Sequence, residues 1–88
     1  MKDREIKKNR KEVFERYPEI GIRMILKYGM YLGGNILTIK HGQDNITIFC
    51  DSIRKIESDQ TTVMIKSEHS TIILWKNPRI YGFDVSIF

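Results

Sequence analysis

From Ile20 to Leu32 the chain alternates without a break. Ile20, Ile22, Met24, Leu26, Tyr28, Met30 and Leu32 are apolar at the even positions, and Gly21, Arg23, Ile25, Lys27, Gly29 and Tyr31 form a mixed odd set. Strict period two over this length predicts a half-buried strand, with Gly29 marking a bulge or bend. The stretch MILKYGMYL also carries a helical stripe, so a helix is the other reading. Upstream the period is longer. In DREIKKNRKEVFERY, residues 3–17, Ile6, Val13 and Tyr17 share one face of a helical wheel, flanked by Phe14. This pattern predicts an amphipathic helix, capped by Asp3, supported by the Glu12/Arg16 spacing of four and stopped by Pro18, which biases Tyr17 away from the helical region.

Downstream, short apolar runs are separated by turn residues. Gly33-Gly34-Asn35 leads into ILTIKH, and Gly42-Gln43-Asp44-Asn45 into ITIFC. Ile53 and Ile56 frame a short segment that reads as irregular. TTVMIKS and STIILW follow, joined by a compact loop at Glu68-His69-Ser70, and RIYGFDVSIF follows Asn77-Pro78. Turn chemistry and period two together predict six or seven strands after one helix. The expected fold is α+β: an N-terminal amphipathic helix (1–18) on a small antiparallel β-sheet (19–88), barrel-like or two-layer, in one domain. The apolar ending Val85, Ile87, Phe88 leads us to expect a C-terminus tied into the sheet or against another subunit.

Charge adds an asymmetry to this picture. The net charge is +4 over 88 residues, and residues 1–30 carry all of it, with nine Lys/Arg against five Asp/Glu. A localised basic segment attracts nucleic acid, anionic lipid or an acidic protein face. Its lack of a Trp/Leu-rich face disfavours the lipid surface. No apolar run is long enough to span a bilayer, and none of signal-peptide length follows the basic start. Cys50 is the single cysteine and has no internal disulfide partner, so a reducing, cytoplasmic setting is expected.

Candidate chemistry is sparse. His41 and His69 stand 28 residues apart with no further ligands at metal-site spacing, and read as turn histidines. Cys50 shares the parity of Ile46 and Ile48 and reads as a buried thiol. Asp51, Glu57, Asp59 and Glu68 read as solvated strand-end charges rather than an acid–base pair, and the glycines form no phosphate-cradling motif. We therefore expect no enzyme, no cofactor, no metal and no small-molecule substrate. Tyr31, Trp75, Tyr81 and Phe83 fit an outward aromatic face near Lys76 and Arg79, suited to base stacking, or else core and interface positions. Candidate contact residues for a partner or nucleic acid are Arg4, Lys7, Lys8, Arg10, Lys11, Arg23, Lys27, Trp75, Lys76, Arg79 and Tyr81.

One passage carries a family likeness. Ile53, Ile56, Glu57 and Ser58, then Val63 and Ile65, Ile72 and Leu74, and finally Ile80 and Phe83, follow without a gap from Ile48 to Leu74. This pattern over residues 48–83 resembles the YabP/YqfC family of small proteins from spore-forming bacteria. Ser52, Ser70 and Lys76 stand where that family favours glycine, and Pro78 where it has an apolar residue. The resemblance implies a β-rich, sporulation-associated protein with no catalytic residues to carry over. The same stretch is similar to the central strands of LytTR-type DNA-binding domains, but lacks the helix expected after them.

The resulting expectation is a non-enzymatic binding or assembly module that associates with itself or with another protein. Nucleic-acid binding through the basic helix is the first alternative. A small phage- or plasmid-borne inhibitor docking on a host protein is the second.

Overall fold

The computed structural model describes residues 10–77 and 82–87. Residues 10–16 form helix α1, and Ile22–Lys27 form helix α2. Seven strands follow: β1 (Tyr31–Gly33), β2 (Ile36–His41), β3 (Asp44–Phe49), β4 (Ile53–Ser58), β5 (Thr62–Ser67), β6 (Ser70–Trp75) and β7 (Phe83–Ile87). A 3-10 turn at Cys50–Ser52 joins β3 to β4. The strands pair antiparallel in two sheets, ordered β1-β2-β3 and β4-β5-β6-β7. The fold is mixed α+β, as expected. It is not one sheet and does not close into a barrel.

The largest correction concerns residues 20–32. They form α2 and the short β1 rather than one long strand. Ile20, Met24 and Tyr28, all buried, lie at a spacing of four, so every second even position of the alternation is also a helical one. The glycines decide between the two periods. Gly21 has φ 87° just before α2, and Gly29 has φ 52° just after it. The Met30 N–H donates to the Ile25 carbonyl at 2.9 Å, and the Gly29 N–H to Leu26 at 3.4 Å. This is the Schellman arrangement, which needs a left-handed residue at the position Gly29 holds. Gly29 is thus a helix terminator and not a strand bulge.

A second correction lies at Ile53–Ser58, expected to be irregular and found as β4. Its register against β5 shifts between Ile53 and Lys55. The extra residue restores Ile53 and Ile56, three apart, to the same side, where both pack on the core. The remaining hairpins follow their turn residues. Gly34 (φ 63°) and Gly42 (φ 61°) occupy the two-residue loops after β1 and β2. Asp59 closes the β4–β5 turn by accepting the N–H groups of Thr61 and Thr62 at 2.8 Å each.

The core draws on every layer: Val13 and Ile20, Met24 and Ile25, Leu37 and Ile39, Val63 and Ile65, and Ile72 and Leu74, among others. Tyr28 joins the layers. Its carbonyl accepts the Lys40 N–H at 2.7 Å, while its buried hydroxyl lies 2.7 Å from both the Trp75 and Gly82 carbonyls and accepts the Gly82 N–H at 3.0 Å. One residue, through its backbone on one side and its phenol on the other, therefore ties the end of α2 and the first sheet to the β6–β7 end of the second.

Candidate docking surfaces

Burial of one face of α1 and α2 leaves the other face uncovered. α1 turns Val13 inward, and Phe14, the next residue, remains 41% exposed. α2 buries Met24 and Ile25, and leaves Ile22 and Leu26 at 49% and 54%. Phe14, Ile22 and Leu26 line a shallow groove of about 270 Å3 between the helices, together with Arg10 and Lys11. Both charged residues in its lining are cations. The Arg10 Nε is buried and has no hydrogen-bond partner among the described residues. Lys11 meets Glu15 at 3.8 Å in an exposed pair one turn along, worth little in stability.

Two other candidate contact residues, Arg23 and Lys76, line a separate groove of about 410 Å3 with Glu19, Ile20, Met24 and Gln60. Lys76 is already engaged there. Its ammonium donates to the Ser58 hydroxyl at 2.8 Å and to the Asp59 carbonyl. Lys27 is exposed at the end of α2. Trp75 is half-buried, and its indole N–H donates to Asp84 Oδ2 at 3.0 Å, which ties the ring to β7. Arg4, Lys7, Lys8, Arg79 and Tyr81 lie outside the described residues.

By sequence the aromatic set is open to an outward stacking face or to core and interface positions. Phe83 packs against the core, and Tyr31 is half-buried with the Lys40 ammonium 5.5 Å from its ring centroid. His41 lies between Tyr28 and Phe83, with ring centroids 5.9 and 6.1 Å away, and His69 is exposed in the β5–β6 turn. Cys50 is buried beside Tyr17, whose hydroxyl is pushed up to about 12, first by burial and then by a hydrogen bond with the Cys50 thiol. Among the described residues, no group of three His, Cys, Asp or Glu side chains is placed to hold a metal ion. Glu57 and Asp59 have carboxyls held below their ordinary values, Glu57 by Lys55 and Lys66, Asp59 by the N–H groups of Thr62 and Thr61. Both are structural acceptors: the half-buried Glu57 bridges lysines, and the exposed Asp59 closes a turn.

Sequence reasoning missed the apolar lining of the α1–α2 groove, although a signal was present. Ile22 and Leu26 are four apart, the spacing of one helical face, but period-two alternation placed them on the inward side of a strand. A second apolar surface, on β7, was seen only as a terminus in need of anchoring. There Val85 is 48% exposed and Ile87 81% exposed. Among the described residues, no helix is long and apolar enough to cross a membrane. Comparison with family models, with curated proteins and with solved structures gave no match.

Proposed function

We propose that the chain is a non-enzymatic binding module that takes an acidic amphipathic helix of a partner protein into the α1–α2 groove. The observation that carries this reading is the set Phe14, Ile22 and Leu26, half-exposed together in a groove whose lining also holds two cations. Covering each of these side chains is worth roughly 1 kcal/mol. Arg10 and Lys11 favour carboxylates at the rim of the incoming helix. The resemblance over residues 48–83 adds a sporulation-associated setting to the proposal, and the lone buried Cys50 a cytoplasmic one.

Arg23 and Lys76 in one groove favour a second reading, nucleic-acid binding. One experiment separates the two. Fluorescence anisotropy is measured with a labelled leucine/glutamate amphipathic peptide, a scrambled peptide of the same composition, and labelled duplex DNA, single-stranded DNA and RNA. The measurements are made at about 50 and 200 mM salt. The groove reading expects binding of the amphipathic peptide alone, lost in Leu26→Glu. Equal binding of the scrambled peptide would sink it. Nucleic-acid binding that collapses at the higher salt would move the function to the basic residues.

A further inference from the structure

The second sheet ends in β7, and among the described residues no strand pairs with its outer edge. Its core face runs past the core. Phe83, Val85 and Ile87 lie opposite Leu74, Ile72 and Ser70 of β6, on the side of the sheet where Leu74 and Ile72 are buried. Phe83 still packs inside, whereas Val85 and Ile87 continue that face into solvent.

The backbone of these residues is directed outward. The Trp75 N–H donates to the Gly82 carbonyl at 3.2 Å, which makes Trp75/Gly82 a hydrogen-bonded pair. Antiparallel pairs alternate, so Ile73/Asp84 and Thr71/Ser86 are the next two hydrogen-bonded pairs along the ladder. Asp84 and Ser86 therefore use their backbone groups on β6. Phe83, Val85 and Ile87 aim theirs away from the sheet, to the open edge.

We propose that two copies of the chain join by antiparallel β7–β7 pairing about a two-fold axis through Val85, which turns two four-stranded sheets into one of eight strands. This contact is separate from the α1–α2 groove and does not depend on it. The occupant is a second copy because the strand is complementary to itself. With Val85 opposite the partner copy's Val85, Phe83 meets Ile87 and Ile87 meets Phe83, so all three outward residues of each copy find outward partners. The apolar face becomes continuous across the junction. Asp84, the one charged residue of β7, falls opposite neutral Ser86. Moving the axis to Asp84 would oppose two carboxylates directly, which is destabilising.

The other edges do not offer this. β1 has three residues. On β3 the exposed side chains at Asn45 and Thr47 are polar, Ile46 and Ile48 already pack on the core, and the one large exposed apolar side chain, Phe49 at 61%, stands at the strand's last position beside Ile36. β4 is charged and bulged.

The test is sedimentation velocity of the full chain over a concentration series. The wild type is expected to show a monomer–dimer equilibrium. Val85→Pro should raise the dissociation constant at least about tenfold with unchanged far-UV circular dichroism, because the Val85 N–H it removes makes no ladder bond to β6. Should that variant fold poorly, oxidative cross-linking reads the same contact. Val85→Cys should form a covalent dimer. Ser86→Cys should not, since a Val85-centred pairing holds the two Ser86 Cα atoms roughly 8 Å apart, too far for a disulfide. Leu26→Glu, in the groove, should leave the dimer intact even where it abolishes peptide binding. A wild type that stays monomeric at the highest concentration overturns the proposal. So does a Val85→Pro chain that is folded and dimerises as the wild type does, equal cross-linking at Ser86→Cys, or loss of the dimer in Leu26→Glu.

Discussion

The two edges of the four-stranded sheet are built from strands of similar length and are treated in opposite ways. β4 carries Arg54, Lys55 and Glu57 in six residues, and a bulge breaks its register. Its charges are tied in exposed pairs: Lys55–Glu57 at 2.9 Å, Lys66–Glu57 at 3.1 Å and Arg54–Glu68 at 3.1 Å. β7 has Asp84 alone, an uninterrupted register with β6, and two exposed aliphatic side chains on the core face. Surface ion pairs add little to stability, so the charges of β4 matter mainly because they deny its edge to another strand. Among the described residues, β7 has Asp84 as its one such device. The difference teaches that this small sheet is protected on one side and left available on the other.

That contrast can be tested from its foundation outward. Leu74 is fully buried, paired to Phe83 on one side and to Val63 on the other. Leu74→Ala should cost about 2–5 kcal/mol in denaturant unfolding and raise amide exchange at both edges together. Tyr28→Phe is more selective. It leaves the Gly82 N–H and two carbonyls without the phenol, at a cost of about 1–3 kcal/mol. Exchange should then rise in β7 more than in β4.

Moving the protection itself should matter less to folding and more to association. Val85→Lys gives β7 the character of β4 and should weaken self-association about tenfold, roughly 1.4 kcal/mol, by sedimentation. The double variant Lys55→Thr and Glu57→Thr does the reverse, and should add concentration-dependent association at the β4 edge.

The smallest effect is the acid limb of the stability curve. Glu57 has its carboxyl lowered from 4.5 by hydrogen bonds from Lys55 and then Lys66, and Asp59 is lowered from 3.8 by the Thr62 and Thr61 N–H groups. A depressed folded value means that the stabilisation is complete above the ordinary value and disappears as pH falls through the folded one. Thermal midpoints should therefore hold near neutral pH and decline as pH drops below these ordinary values. Glu57→Gln should flatten part of that decline and change little at neutral pH.

Much of the strand layout was legible because its signals are local. Period two over ILTIKH, ITIF, TVMIKS and STIILW, punctuated by Gly34, Gly42 and the Glu68-His69 loop, is enough to set four strands and their hairpins. β4 escaped because a bulge replaces period two with a spacing of three. The docking surfaces escaped for a different reason. Candidate residues were chosen by charge or aromatic character, yet Lys76 and Trp75 turn out to be occupied by Ser58 and Asp84, and the uncovered groups Phe14, Ile22 and Leu26 look like core in any one-dimensional pattern.

By itself, then, the sequence determined the hairpins, the stop at Pro18, the buried thiol at Cys50 and the mixed α+β class. Each of these follows from neighbours a few residues apart. The tertiary structure decided that residues 22–27 coil, that the strands divide into sheets of three and four, and that Ile22, Leu26, Val85 and Ile87 remain uncovered. Hydrophobicity tells which side chains need cover. Whether they receive it depends on what packs opposite, and in this chain the core closes over Met24, Ile25, Ile72 and Leu74 before it reaches them.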